Sequence, residues 1–369
     1  MDSLSQLVLG ASVGYAVAGK RLGRVAIAAG ALAGTIPDLD SFFPVADEFQ
    51  SWVRHRGVSH SFLFAAFAGP ALGWAAWRWC RQNKPFTPAG EEDAIWAWIG
   101  LFTLGIGTHP LLDWFTIYGT QLLAPFSDTR FFVSGLGIID PGYTVPLLIG
   151  MIAALIAPRA VAARVLILAG LALSTVYLFY GLAQNKAVET MARNQLRAEN
   201  VVAADLRVYT TIFQPWLRRI VVDDPDGARV GFASPLQKGA IAWACFKRID
   251  DPAIAPVLAT REGKILAWFS DGMLWPSVEP QTDGGKIVRI TDRRYGVPGD
   301  TINGWWGLEA RVDASNRVVG TIERIQLPRD TSRVNELFVA GIGKPTEIFP
   351  QARNAADAAQ NCAVGRLNK

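Results

Sequence analysis

The chain has 369 residues, half of them hydrophobic, and a formal net charge of +4 at pH 7. Its mean hydropathy of +0.21 is high for a water-soluble protein. The small net charge and the lack of a dense basic tract argue against nucleic-acid binding. The three cysteines show no CxxC or Cys/His spacing, which argues against a structural zinc or redox motif. Cys245 and Cys362 could form a disulfide if the second half of the chain is extracytoplasmic.

Charged residues are distributed unevenly along the chain. Residues 1–183 hold 11 Lys/Arg and 11 Asp/Glu, whereas the remaining 186 residues hold 25 and 21. A charge-poor apolar half followed by an ordinary globular half indicates two domains. We therefore predict an α-helical multi-pass membrane bundle over residues 1–183, a helical connector over 184–206 and a β-rich, soluble, extracytoplasmic C-terminal domain over 207–369.

Six apolar stretches make up the first half. They cover residues 4–18, 24–36, 61–79, 94–112, 144–157 and 165–183. The third, fourth and sixth approach the roughly 20 residues that span a bilayer, and the others are short enough to be tilted or half-spanning. If all six cross, eight basic residues share one side, which the positive-inside rule makes cytoplasmic. These residues are Lys20, Arg21, Arg24, Arg78, Arg81, Lys84, Arg159 and Arg164.

Three polar motifs near the ends of these stretches contain all three histidines of the chain. The first motif, PDLD, holds Asp38 and Asp40. Both carboxylates can reach one ion through a turn, or one can bind while the other orients a histidine. The same sequence is also common in ordinary turns.

The second motif, HRGVSH, places His55 and His60 directly before an apolar helix that Ser59 or Ser61 could cap. Polar residues gather at many helix entries, so this motif alone leaves a metal role and a structural role open. Arg56 lies between the histidines. A guanidinium group at this position could bind a phosphate or only anchor the chain to lipid headgroups.

The third motif, HPLLD, places His109 and Asp113 four residues apart, on one face of a helix. This spacing resembles that of HExxH metal sites, in which one helical turn presents two ligands. The alternative is a hydrogen-bonded histidine within a helix bundle. Arg130 follows in APFSDTRFF and is a second candidate for binding phosphate or headgroups.

Together, the three motifs predict one divalent metal site at the extracytoplasmic ends of the stretches. The candidate ligands are Asp38, Asp40, His55, His60, His109 and Asp113. Histidine with carboxylate favours zinc, with manganese or iron as alternatives. Asp38 or Asp40 could be the general base if it does not bind the metal, and Arg56 or Arg130 could stabilise charge on a phosphate.

The second half alternates short strand-like runs, such as LRRIVVDD, KILAWFSD and KIVRITDR, with turn signals such as DDPDG and TREGK. This pattern predicts antiparallel sheets. The half contains no histidine and no nucleophile or phosphate-loop motif. We expect it to gate the substrate or to bind a protein partner.

Three strings of the first half resemble the YdjM-type, DUF457-like family of membrane-bound predicted metal-dependent hydrolases. They are GTIPDLDSF (34–42), HRGVSHSFLF (55–64) and HPLLDWFTIYGTQLLAPFSDTRFF (109–132). The resemblance covers residues 1 to about 183. It implies a multi-pass bacterial inner-membrane protein with an assumed hydrolase activity, and it implies the same six ligands. Members are distantly similar to zinc-dependent phospholipase C-like hydrolases.

The leading hypothesis is a membrane-bound, metal-dependent hydrolase that acts on a phosphoester or lipid-linked substrate at the outer face of the inner membrane. The alternative is a non-catalytic metal-binding membrane protein whose soluble domain binds a partner. A closed ligand shell would favour this alternative, because catalytic sites keep a position for water. Ion transport fits less well, because the polar motifs lie at segment ends rather than at mid-bilayer.

Overall fold

A computed structural model of the chain describes residues 1–83, 94–225, 227–296, 302–328, 332–358 and 362. Lys84, one of the eight basic residues above, lies outside the described residues. The chain is mainly helical as far as residue 198 and then forms antiparallel sheets, which confirms the predicted fold class.

Within the described residues, seven α-helices precede the first strand. They are α1 (Ser3–Leu22), α2 (Arg24–Thr35), α3 (Glu48–Arg54), α4 (Phe62–Gln82), α5 (Ile95–Trp114), α6 (Pro141–Ile156) and α7 (Val161–Ala198). Two short 3₁₀ helices, Ile36–Phe42 and Val58–His60, carry the PDLD and HRGVSH motifs. Of the two candidate caps of α4, Ser61 is the one that accepts the Phe64 N–H, at 3.0 Å. The cap fixes where α4 begins, directly after His60.

The chain folds into two compact units. The first comprises Met1–Val45, Arg54–Leu182 and Ile212–Gln214, and the second comprises Ala46–Val53, Ala183–Thr211 and Pro215–Lys369. The division near residue 183 follows the change in composition. The sequence gives no sign that residues 46–53, which hold most of α3, belong to the second unit.

In the first unit, α1 and α2 pack with their backbones in close contact. Gly10 and Gly14 of α1 face Gly30 and Gly34 of α2, and a Cβ on Gly14 would lie only 2.7 Å from the Ala26 carbonyl oxygen. Small residues spaced four apart allow this approach between helices in lipid. The packing brings the end of α2, and the PDLD segment after it, next to the first turns of α1.

Helix α5 is the central helix of the first unit, in contact with α1, α2 and α4. Leu101 and Ile106 are fully buried on it, and its sequence is apolar on every side. Such a helix is expected where other helices surround it. His109 and Asp113 therefore lie in an apolar environment in which a polar side chain needs a partner.

Three segments are long and apolar enough to cross a membrane: Arg24–Phe42, Ile95–Trp114 and Val161–Ala198. Helix α6 is apolar but shorter. The first and third predicted stretches, which form α1 and α4, are not among the three. Large apolar side chains are exposed on α6 and α7, as expected of surfaces that contact lipid tails.

The second unit contains two four-stranded antiparallel sheets, ordered β1-β2-β3-β5 and β6-β7-β8-β9, and the pair β4-β10. The strands are β1 (Asp205–Thr210), β2 (Arg218–Asp224), β3 (Gly227–Ala233), β4 (Ala240–Ile241), β5 (Trp243–Lys247), β6 (Leu274–Pro280), β7 (Lys286–Asp292), β8 (Trp306–Val312), β9 (Val318–Gln326) and β10 (Gln351–Ala352). Besides most of α3 and the end of α7, the described residues of this unit form α8 (Ile254–Ala259), α9 (Arg261–Phe269) and α10 (Val334–Gly341). Cys245 and Cys362 form a disulfide within this unit.

Candidate metal centre

Three segments of the first unit bring Asp38, His60 and His109 together as a cluster that could hold a metal ion. Asp38 Oδ1 lies 3.3 Å from His60 Nε2 and 3.4 Å from His109 Nε2, and the two Nε2 atoms are 3.0 Å apart. Ligands bound at 2.0–2.1 Å in a tetrahedral zinc site lie about 3.3 Å from one another. The cluster therefore has the dimensions of a site for one small divalent cation.

The other nitrogen of each imidazole is held by a hydrogen bond. His109 Nδ1 donates to the Gly34 carbonyl oxygen at 2.6 Å. His60 Nδ1 lies 3.0 Å from Ser59 Oγ, which donates its own proton to Asp40 Oδ2 at 2.8 Å. With these Nδ1 atoms as donors, two neutral imidazoles would direct their Nε2 lone pairs at each other. These lone pairs repel at 3.0 Å unless a proton or a metal cation lies between them.

Asp113 borders this cluster, one helical turn after His109. Its Oδ2 atom lies 3.5 Å from His60 Nε2 and 3.7 Å from His109 Nε2, and it makes no hydrogen bond with any residue that the structure describes. Its Oδ1 atom accepts hydrogen bonds from Gln6 Nε2, at 3.0 Å, and from the Met1 amino group. Oδ1 is therefore held by two protein donors, and Oδ2 faces both the cluster and Arg56.

Arg56 holds Asp113 in this orientation. Its Nε lies 3.1 Å from Asp113 Oδ2, its Nη1 donates to Thr116 Oγ1 at 2.7 Å, and its guanidinium group stacks 4.6 Å from the Tyr118 ring centroid. The side chain is only 3% exposed and the backbone is left-handed, with φ of 62°. The Arg56 guanidinium group is therefore engaged with Asp113, a carboxylate of the site itself.

Asp40 and His55 lie behind His60, outside the Asp38–His60–His109 cluster. Asp40 Oδ1 is 2.9 Å from His55 Nδ1, and Asp40 Oδ2 accepts from Ser59 and from the Arg56 backbone N–H. Both oxygens are therefore engaged by protein groups. His55 packs edge-on against His60, with the ring centroids 5.6 Å apart. These contacts suit support of the His60 ring.

Arg130 stabilises the loop that follows α5. Its Nη2 donates to the carbonyl oxygens of Tyr118 and Gly119, the latter at 3.1 Å. Its guanidinium group lies 4.9 Å from the Tyr118 ring, on which Arg56 also stacks. The two arginines singled out from the sequence thus flank one tyrosine.

The cluster is open to solvent mainly at Asp38. The Asp38 side chain is 25% exposed, whereas those of His60, His109 and Asp113 are at most 1% exposed. Burial disfavours the imidazolium form of His60, but the hydrogen bonds to Asp38 and Asp40 outweigh it and raise the pKa of His60. The same carboxylates would stabilise a bound divalent cation.

Two groups that orient the histidines were not predicted from the sequence. The Gly34 carbonyl belongs to the backbone, so no residue type marks it. Ser59 was considered only as a possible helix cap, although its position beside His60 is a signal for a hydrogen bond to that ring. Both groups act on the nitrogen that does not face the cluster.

The fold and the site define a class: a helical membrane protein with a buried Asp/His/His cluster that could hold a metal ion. Residues 1–188 match the family described as YdjM inner membrane protein. Because the match covers more than half of the chain, the protein belongs to this family, as the motifs predicted. No curated protein and no solved structure gives a significant match.

Proposed function

We propose that this protein is a metal-dependent hydrolase with Asp38, His60 and His109 as its metal ligands. One observation carries the proposal: the two imidazole Nε2 atoms lie 3.0 Å apart, and Asp38 Oδ1 lies 3.3 and 3.4 Å from them. Three protein ligands and a partly exposed side at Asp38 suit a catalytic site, which keeps a position for water.

Two imidazoles and a carboxylate favour zinc, with manganese or iron as alternatives. A bound divalent cation supplies Lewis acidity, which polarises a scissile ester and lowers the pKa of water. The residues of the chain orient the metal ligands. Gly34 and Asp40 orient the imidazoles, so we assign Asp40 an orienting role rather than that of general base. Asp113 Oδ2 faces the cluster and is paired with Arg56 Nε, so we assign it the role of orienting and neutralising the groups beside the metal ligands.

We place the site at the outer face of the inner membrane. Arg24 donates to the carbonyl oxygens of Leu155 and Ile156, at 2.7 and 3.1 Å, so the basic α1–α2 and α6–α7 junctions meet at one end of the first unit. Helix α2 runs from that end to the Asp38 segment. The positive-inside rule then makes the ligand end extracytoplasmic. The disulfide of the C-terminal unit supports a periplasmic location, since disulfides persist in oxidising compartments.

The substrate that we propose is a phosphoester of a membrane lipid or of a lipid-linked molecule. Exposed apolar side chains lie beside the ligands on the same short segments: Leu39, Phe42 and Val58 are 45%, 84% and 55% exposed. An amphiphilic substrate could contact them with its chains while its polar group reaches Asp38. Arg56 and Arg130, first considered as phosphate-binding groups, are engaged with Asp113 and with backbone carbonyls, and we give them supporting roles.

The test is the metal content of the full-length protein in detergent, together with hydrolysis of lipid phosphoesters with and without chelator. We expect one equivalent of metal in the wild type, its loss in His109→Ala, and its retention in the matched variant His55→Ala. Activity that survives both chelation and His109→Ala would refute the mechanism. Loss of metal from His55→Ala would restore His55 to the ligand set.

A second function, non-catalytic metal binding with a partner on the soluble domain, is favoured by the position of Asp113. Its Oδ2 lies 3.5 and 3.7 Å from the two Nε2 atoms, close enough for it to serve as a fourth ligand that closes the shell. X-ray absorption on the zinc-loaded protein distinguishes the two functions. Three protein ligands and a water favour the hydrolase, and four protein ligands without water favour the alternative.

A further inference from the structure

Helix α3 lies in the chain between the segment that carries Asp38 and Asp40 and the segment that carries His55 and His60. Hydrogen bonds close the loop that carries α3 at its base. Arg54 Nη1 donates to the Pro44 carbonyl oxygen at 2.7 Å, and Asp40 is hydrogen-bonded to His55. Only a few residues connect α3 to each of the two segments.

The second unit holds α3 by its aromatic side chains. Phe49 and Trp52 are 5% and 4% exposed. The Trp52 indole stacks on Phe269 of α9, with ring centroids 4.8 Å apart and planes inclined by 11°. Arg324 of β9 lies 5.3 Å from the Trp52 ring centroid. Stacked aromatic pairs of this kind add stabilisation beyond that of the buried area.

Polar contacts complete the attachment within the second unit. Arg324 Nη1 donates to Ser51 Oγ at 2.8 Å and to the Glu48 carbonyl oxygen at 3.1 Å, and Arg261 pairs with Asp47 at 2.8 Å. Helix α3 has only seven residues. A helix this short is not stable alone in water, so its conformation depends on these contacts.

We propose that Trp52 is a positioning residue for the metal centre, through which the β-rich unit controls metal affinity. The inference rests on the metal site of the proposed function. When α3 keeps its helical form, the two ends of the loop that joins the Asp38–Asp40 and His55–His60 segments keep a constant separation. With α3 released, metal binding must also order this loop, which weakens the affinity. By linkage, metal binding in turn stabilises α3 on the second unit.

The experiment measures the zinc affinity of the full-length protein in detergent, by competition with a chromogenic chelator. We expect Trp52→Ala to bind zinc roughly three- to tenfold more weakly, as the loss of one aromatic stack implies. Trp52→Phe retains a stacking ring and should recover most of the affinity. Arg324→Gln should also weaken binding, whereas the control Arg317→Gln, which removes an exposed guanidinium paired with Asp313, should not.

A second readout separates positioning from general instability. Zinc should slow amide hydrogen exchange in residues 46–53 of the wild type and should slow it less in Arg324→Gln. If Trp52→Ala does not fold, the comparison of Arg324→Gln with Arg317→Gln decides. Wild-type affinity in folded Trp52→Ala or in Arg324→Gln would overturn this inference and leave the metal site intact. Failure of the wild type to bind zinc would overturn the metal site and this inference with it.

Discussion

Replacing Asp40 with asparagine tests whether this carboxylate orients His60 or acts as a general base. The substitution keeps the volume of the side chain and one oxygen acceptor, but it removes the negative charge. Asp40 Oδ2 accepts from Ser59 at 2.8 Å and lies 3.4 Å from His60 Nδ1, and Oδ1 is paired with His55. In Asp40→Asn one of these donors must face an amide N–H₂ group, so the His60 ring loses part of its support.

The geometry sets the expected size of the effect. Groups that orient metal ligands typically contribute 10- to 100-fold to metal affinity, or about 1.4–2.7 kcal/mol. The Asp40–His60 distance of 3.4 Å is long, and Ser59 remains as a neutral acceptor at 3.0 Å. We therefore expect Asp40→Asn to bind zinc about tenfold more weakly, near the lower end of that range. Asp38→Asn, which alters a proposed ligand, should lose more.

Zinc competition titration measures the affinity, and hydrolysis at saturating zinc measures the chemistry. If Asp40 orients His60, Asp40→Asn should bind zinc more weakly and regain most of its activity when zinc is saturating. The opposite result, wild-type zinc affinity with activity abolished at every zinc concentration, would show that Asp40 is the base and that our assignment is wrong.

Two further predictions concern stability. Gly14→Ala should destabilise the protein by about 1–3 kcal/mol, because the added methyl group meets the α2 backbone, whereas Gly107→Ala meets only ordinary contacts and should leave the melting temperature nearly unchanged. Equal melting temperatures would argue against the close packing. Cys245→Ser removes the disulfide to Cys362, which spans 117 residues, and should lower the free energy of unfolding by about 4–5 kcal/mol. A reductant should then destabilise the wild type but not the variant, and equal sensitivity of both would contradict the prediction.

The helical half of the fold could be predicted because apolar stretches mark it strongly. The stretch 94–112 becomes α5 (Ile95–Trp114) almost without change. The prediction for the run KILAWFSD was wrong: we predicted a strand, and the structure has α9 (Arg261–Phe269). Thr260, within a predicted turn, caps this helix by accepting the Gly263 N–H, and Leu266 and Phe269 are buried three residues apart. A short apolar run is compatible with the periodicity of a helix or of a strand. Here the cap at Thr260 favours the helix.

The candidate site could be predicted in composition but not in arrangement. The spacing of His109 and Asp113 indicates a shared helix face, because helical geometry is regular. Which carboxylate of PDLD faces the cluster depends on a 3₁₀ helix and on the left-handed backbone of Arg56, neither of which has a reliable sequence signal. The role of Gly34 could not be predicted at all, because it depends on how closely two helices pack.

The apolar outer face of α7 has a definite length. Its exposed large apolar side chains begin at Val161 and end at Tyr180, about 28 Å apart along the helix axis at 1.5 Å per residue. A bilayer's hydrocarbon core is about 30 Å thick. Along α7, the residues that belong to the second unit start at Ala183, within one turn of the end of that face. The apolar face of α7 therefore matches the thickness of the bilayer's hydrocarbon core. In a thinner membrane we expect the helix to tilt, so that the face stays within the apolar layer.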